Sequence, residues 1–178
     1  MLSSQVINPY RFVAPCVDTT FTIDNSNRTT QRTLGNSGGT WRSFAGVKNV
    51  FGSGTLTEAK VYLDNDTVGT SGNVQLAVYA SDGTNKRVLD SVAISTLTSS
   101  LAEYTFSGSV SVDVDDLIGV TIDTAPSSVY RFNVGIWQNS SQIDSVSTWD
   151  INNSGSVGTF VSGTDYLYLC GLELSYCA

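Results

Sequence analysis

Short stretches of alternating apolar and polar residues, separated by turn formers, dominate the middle of the chain. They read TLTEAKVYL, NVQLAVYASDG, KRVLDSVAIS and LAEYTFSGSVSVDVDDLIGVTI. Side chains alternate across a strand, so Val74, Leu76 and Val78 share one face and Gln75, Ala77 and Tyr79 the other. Short strands recurring between turns mark an all-β fold, a sandwich or barrel, and such a pattern states architecture while saying little about chemistry.

At 178 residues the chain fits one domain, or one domain with short arms. A fold of that size buries about 70% of its unfolded surface, enough for a core without a metal or disulfide. Charged residues make up only 14%, below the usual quarter, and Lys48, Lys60 and Lys86 are all the lysines there are. Hydroxyl and amide side chains fill the surface instead, a composition suited to extracellular, virion or crowded assembly settings. The net charge of −7, with no cluster of basic residues, argues against nucleic acid, whose binding displaces counterions with Lys and Arg. The same balance disfavours a membrane surface. No apolar run reaches the 18 residues or so of a membrane span. The opening MLSSQVINPYRFVAPC lacks the basic start and apolar run of a secretory signal, so synthesis in a cytoplasm is expected.

Cysteines number three, Cys16, Cys170 and Cys177. If YLYLCGLELSYC is one strand, Cys170 and Cys177 lie roughly 23 Å apart on opposite faces and cannot bridge. Cys16 with Cys170 is the easier pair. Three plain thiols, or a link between subunits through Cys177, are the alternatives.

Residues 1–15 read as an extended arm, since Pro9 and Pro15 favour open backbone while Leu2, Val6, Ile7, Tyr10 and Phe12 are adhesive. Its docking residues are expected to be Ile7, Asn8, Pro9, Tyr10, Arg11 and Phe12, set against the chain's own domain or a neighbouring subunit. The remainder, 16–178, is the domain. Two polar strands are expected around Asp24–Asn27, a flexible loop at 35–39, and strands over 40–51, 55–64, 73–81, 86–95, 101–107, 109–114, 116–123 and 129–138. Asp82-Gly83 signals a hairpin. Residues 139–156 read as a long polar loop holding Trp149, followed by terminal strands. No window has a helical period, so a turn or two of helix is the most expected.

Histidine is absent altogether. That removes Ser-His-Asp triads, Cys-His dyads and most zinc and iron sites. Carboxylate pairs remain, as in glycosidases, but no spacing singles out an acid and a nucleophile. No cofactor and no catalytic residue is expected. Asp64 with Asp66, and Asp113 with Asp115 and Asp116, could offer oxygens to calcium, or could be turn formers bonded to nearby backbone. Aromatic residues are the best binding candidates. Trp41, Tyr79, Tyr104, Trp137 and Trp149 could stack on sugar rings, with Tyr79, Trp137 and Trp149 the expected platform, or they could be core residues, or could meet a protein partner.

The stretch Gly54–Val134, with GTLTEAKVYL, VQLAVYASDGT, VLDSVAIS and YTFSGSVSVDVDDLIGVTI, resembles the jelly-roll β-sandwich modules of carbohydrate-binding and virion surface proteins. NPYRF at 8–12 is similar to N-terminal segments of tailed-phage structural proteins. The resemblance implies a single antiparallel, jelly-roll-like sandwich and a non-catalytic virion role: a capsid decoration, head-fibre or tail-appendage subunit. Its partners would be other virion proteins and copies of itself, as a homotrimer, with host glycan a further possibility. The alternative is a carbohydrate-binding module or lectin-like adhesin.

Overall fold

The computed structural model describes residues 18–22, 30–37, 40–49, 52–65, 71–123, 131–138, 148–152, 161–162, 168–170 and 172–177. In chain order the strands are β1 (Asp18–Thr22), β2 (Thr30–Ser37), β3 (Thr40–Lys48), β4 (Gly54–Asp64), β5 (Asn73–Tyr79), β6 (Arg87–Ala93), β7 (Ala102–Val112), β8 (Leu117–Ile122), β9 (Phe132–Gln138), β10 (Thr148–Asn152), β11 (Val161–Ser162), β12 (Tyr168–Cys170) and β13 (Leu172–Cys177). Among the described residues the helical content is one 3-10 turn at Ile94–Thr96. The fold is all-β, and among the described residues every pairing is antiparallel.

Two sheets face each other. In the first, β4 lies between β7 on one side and β13 and β9 on the other, with β1 on β13 and β12 on β9. In the second, β3, β8, β5 and β6 run side by side, and β10 with β11 extends beyond β3. The chain passes repeatedly from one sheet to the other: β4 to β5, β6 to β7, β7 to β8 and β8 to β9 all change layer, a jelly-roll-like course.

β2 belongs to both sheets. Residues 30–34 pair with β9, and residues 35–37 pair with β3. The switch falls at Gly35, whose φ of 101° is open to glycine and strained for other residues. Strands that turn a sandwich corner in this way do so at bends or bulges.

The core lies between the layers. Leu56, Ala59, Val61 and Leu63 of β4, Phe106, Val110 and Val112 of β7, and Phe132 and Val134 of β9 meet Val74, Leu76 and Val78 of β5 and Ile118, Val120 and Ile122 of β8. The sets on β5, β8 and β9 follow the period of two, as does β4 from Ala59 to Leu63; on β4 and β7 the period is interrupted between Leu56 and Ala59 and between Phe106 and Val110, where the register shifts. At about 25 cal/mol per Å² of apolar surface removed from water, this shared interior is the main stabilising term.

Several expectations need correction. Of the flexible loop expected at 35–39, residues 35–37 belong to β2 instead, and Ser37 pairs with Thr40 of β3; residues 38 and 39 lie outside the described residues. The two strands at 101–107 and 109–114 are the single strand β7, because Gly108 sits in a bulge rather than a turn. Leu56 pairs with Val110 and Glu58 with Ser107, so Gly108 and Ser109 together oppose Thr57. Trp149 belongs to β10, opposite Gly46 of β3, not to a loop. YLYLCGLELSYC divides into two strands with different partners: Cys170 faces Ile136, and Cys177 faces Asp18. The Asp82-Gly83 hairpin does form. Gly83 takes a φ of 81°, and Asp82 Oδ1 accepts from the Thr84 hydroxyl at 2.6 Å and the Thr84 N–H at 2.9 Å. Those bonds hold the Asp82 carboxyl below its usual range. The proposed arm and Cys16 lie outside the described residues.

Candidate interaction surfaces

The acidic turn between β7 and β8 has the clearest polar architecture. Asp115 takes a φ of 73°, and Asp116 N–H donates to the Asp113 carbonyl at 3.2 Å. The Asp116 carboxylate accepts the Asp113 N–H and an Arg87 guanidinium N–H, both at 2.7 Å. Asn49, buried just after β3, ties the turn to the β3–β4 connection. Its side-chain amide donates to the Asp113 and Gly52 carbonyls at 2.8 Å, and its backbone bonds both Asp116 and Asp115. Asp115 pairs with Lys48 at 2.7 Å on the surface. These carboxylates therefore act as turn formers and staples. The calcium arrangement would require Asp116 to face a cation, and its Oδ2 faces Arg87 instead.

Asp64 plays a similar part at the far end of β4. It is buried, and its Oδ1 accepts from the Asn133 amide at 2.7 Å; Asn133 Oδ1 in turn accepts from the Thr33 hydroxyl at 2.7 Å. The register sets this row, since Thr33, Asn133 and Asp64 stand opposite one another on β2, β9 and β4. Asp66 lies outside the described residues. Among the described residues no group of three or more metal-ligating side chains converges.

Tyr79 is not a sugar platform. It is 2% exposed, and with Phe44, Ala77 and Leu117 it forms a second apolar cluster on the outward side of the second sheet. Burial pushes its phenol pKa up, and the Thr121 hydroxyl partly opposes that rise. Alternation had assigned Tyr79 correctly to the face away from Val74, Leu76 and Val78, but that face is also covered. Trp137 and Trp149 lie on different sheets, in β9 opposite Leu169 and in β10 opposite Gly46. Their side chains, like the docking residues 7–12, lie outside what the structure describes.

The outward side of the first sheet is different. Glu58, Lys60 and Tyr62 of β4 project there beside Ser107, Thr105 and Glu103 of β7. The Tyr62 hydroxyl donates to Glu103 at 2.8 Å, and Lys60 lies 3.9 Å from Glu58. Where β4 and β7 adjoin, this is a half-exposed, mixed-charge, hydroxyl-rich face that includes the Tyr62 ring. Sequence reasoning passed over Tyr62, although the alternation in TLTEAKVYL already put it in line with Lys60 and Glu58. A surface of this kind can adhere to a polar partner through hydrogen bonds.

No family model matches the chain, and no curated protein matches it. Among solved structures, a chain described as infectious bursal disease virus, Gx strain, is similar at 10% identity with a TM-score of 0.25. The match covers 89% of this chain and 40% of that one, so this chain spans under half the length of that protein. A likeness at that TM-score carries no weight for role.

Proposed function

We propose that the protein is a non-catalytic structural subunit of a virion surface, a capsid decoration or a fibre or appendage subunit of a tailed phage. It works by adhesion, burying surface against other virion proteins and against copies of itself in a homotrimer, with residues 7–12 as the docking arm. The observation that supports this reading best is the state of the buried polar side chains. Among the described residues Asn49, Asp64, Asp116, Thr121 and Asn133 are the buried polar residues, and each is hydrogen-bonded within the fold. The two carboxylates of this set, Asp64 and Asp116, hold strands or turns together through these bonds. The absence of histidine from the whole sequence points the same way.

Sedimentation of the full chain tests the proposal. The expected result is a trimer that becomes a monomer when residues 2–12 are deleted, with an unchanged melting temperature. A monomeric wild-type protein, or a trimer indifferent to the deletion, would overturn it.

A further inference from the structure

The line where β6 meets β7 is built unlike the other seams of the sandwich. β6 pairs with β5 on one side, β7 pairs with β4 on one side, and the two free edges face each other across the layers. Among the described residues no backbone ladder joins them. Side chains take its place. Arg87 donates to the Ser111 carbonyl at 2.8 Å and to Asp116 at 2.7 Å, and Asp90 Oδ2 accepts the Ser107 N–H at 3.2 Å. One guanidinium and one carboxylate thus stand in for the donor and acceptor of a missing strand.

Two bulges meet at this seam. On β6, Leu76 pairs with Asp90 and Ala77 with Val88, so Leu89 is the extra residue and turns into the core. On β7 the bulge holds Gly108, where an added Cβ would fall 2.6 Å from the Leu89 carbonyl oxygen. Bulges interrupt the ladder hydrogen bonds on each side of them.

β6 is also weakly anchored. Of its seven residues only Leu89 is buried, whereas five of the seven in β5 are. Arg87 Nε is buried at the seam with no hydrogen-bond partner, so separating the edges would give it water. The strand is bounded by a hairpin turn with Gly83 and Asn85 at positive φ and by the fully buried Ile94. A segment with few buried contacts between a turn and an anchor is where sub-global opening begins.

We propose that β6 is a flap, which separates from both β7 and β5 as a unit while the rest of the sandwich stays folded, and that Arg87 and Asp90 latch it. Opening frees Ser107 N–H and Ser111 C=O on the β7 edge, the groups that an added strand would pair with.

Native-state hydrogen exchange of the full chain under mild conditions tests this. The amides of β6 and Ser107 are expected to exchange together, at least tenfold faster than those of β8, which is paired on both edges. In Arg87→Gln/Asp90→Ala the same amides should speed up by about a further tenfold with β8 unchanged. If wild-type β6 exchanges in step with β8, through global unfolding alone, the flap does not exist. Wild-type exchange decides the point even where the double variant folds poorly. If β6 opens early but the variant leaves its rate unaltered, Arg87 and Asp90 are not the latch, and the proposal fails in that part.

Discussion

Phe44 and Tyr79 meet almost at a right angle, their ring centroids 5.4 Å apart and their planes inclined at 85°. They come from β3 and β5, two strands separated by β8. Between them runs a cross-strand row of small residues: Gly46 pairs with Gly119, and Gly119 with Ala77. The small row leaves a trough on the sheet, and the two rings lean into it from either side. Edge-to-face aromatic pairs of this geometry add roughly 0.5–1.5 kcal/mol beyond the area they bury. This arrangement removes Tyr79 from any binding role and makes it part of the fold.

Packing, not the phenol's hydrogen bond, should dominate here. Phe44 is fully buried, so Phe44→Ala is expected to cost about 3–5 kcal/mol in urea unfolding. The Tyr79 hydroxyl reaches Thr121 only at 3.5 Å, so Tyr79→Phe should cost less than about 1 kcal/mol. A larger loss for Tyr79→Phe than for Phe44→Ala would show that the hydroxyl holds the cluster.

The same tyrosine gives stability a dependence on alkaline pH. Its folded pKa is raised above the ordinary value of 10.0, with burial the larger cause. Above pH 10 the unfolded chain therefore releases a proton that the folded chain keeps. Stability contributed by the protonated phenol is complete below that pH and is lost as pH climbs through the folded value. Denaturation midpoints measured from pH 8 to 11 should fall at the upper end for the wild type and fall less steeply for Tyr79→Phe. Parallel curves would place the alkaline loss elsewhere.

The trough itself predicts a glycine requirement that no turn explains. At Gly119 a Cβ would run into the Ala45 carbonyl oxygen and the Gly46 Cα; at Gly46 it would meet the Ile118 carbonyl oxygen and lie 2.5 Å from the tip of the Phe44 ring. Backbone cannot yield as a side chain can. Gly119→Ala should therefore destabilise by at least the 1–3 kcal/mol or so typical of overpacking, and Gly46→Ala likewise. Thermal melts of the two variants check this, and wild-type melting in either would show that the strands can spread.

Much of the layer structure was legible in the sequence, and the reasons for the rest are specific. Alternation placed Val74, Leu76 and Val78 in the core because a strand's period is fixed by its backbone. It could not show that the opposite face, with Ala77 and Tyr79, is buried too, since periodicity says which residues share a face and not what lies over it. Gly108 looked like a turn because a bulge and a turn want the same residue. The polar sequence around Trp149 hid β10, whose register comes from β3, about a hundred residues earlier. The pairing of β1 with β13 joins the two ends of the described chain and has no local signal at all. For the candidate surfaces, Asp113, Asp115 and Asp116 were recognisable as turn formers, but their partners Asn49, Arg87 and Lys48 come from other strands and connections.

Those partners set up a contrast between two ion pairs of equal length. Arg87–Asp116 and Lys48–Asp115 are both 2.7 Å, yet the side chains of the first are 19% and 7% exposed and those of the second 33% and 55%. Water screens the exposed pair, so Asp115→Ala should change stability by only about 0–1 kcal/mol, apart from any backbone effect of its positive φ. Asp116→Ala removes a buried acceptor that serves both Arg87 and the Asp113 N–H, and leaves a largely buried guanidinium without its counter-charge. Breaking one partner of a buried pair costs about 3–5 kcal/mol, and the partial exposure of Arg87 puts this case at the lower end. Salt separates the two further: raising ionic strength should shrink whatever effect Asp115→Ala has and leave that of Asp116→Ala nearly unchanged. Equal losses for the two variants in chemical denaturation, or equal salt sensitivity, would mean that burial does not distinguish them and that the β7–β8 turn is held chiefly by its backbone bonds to Asn49.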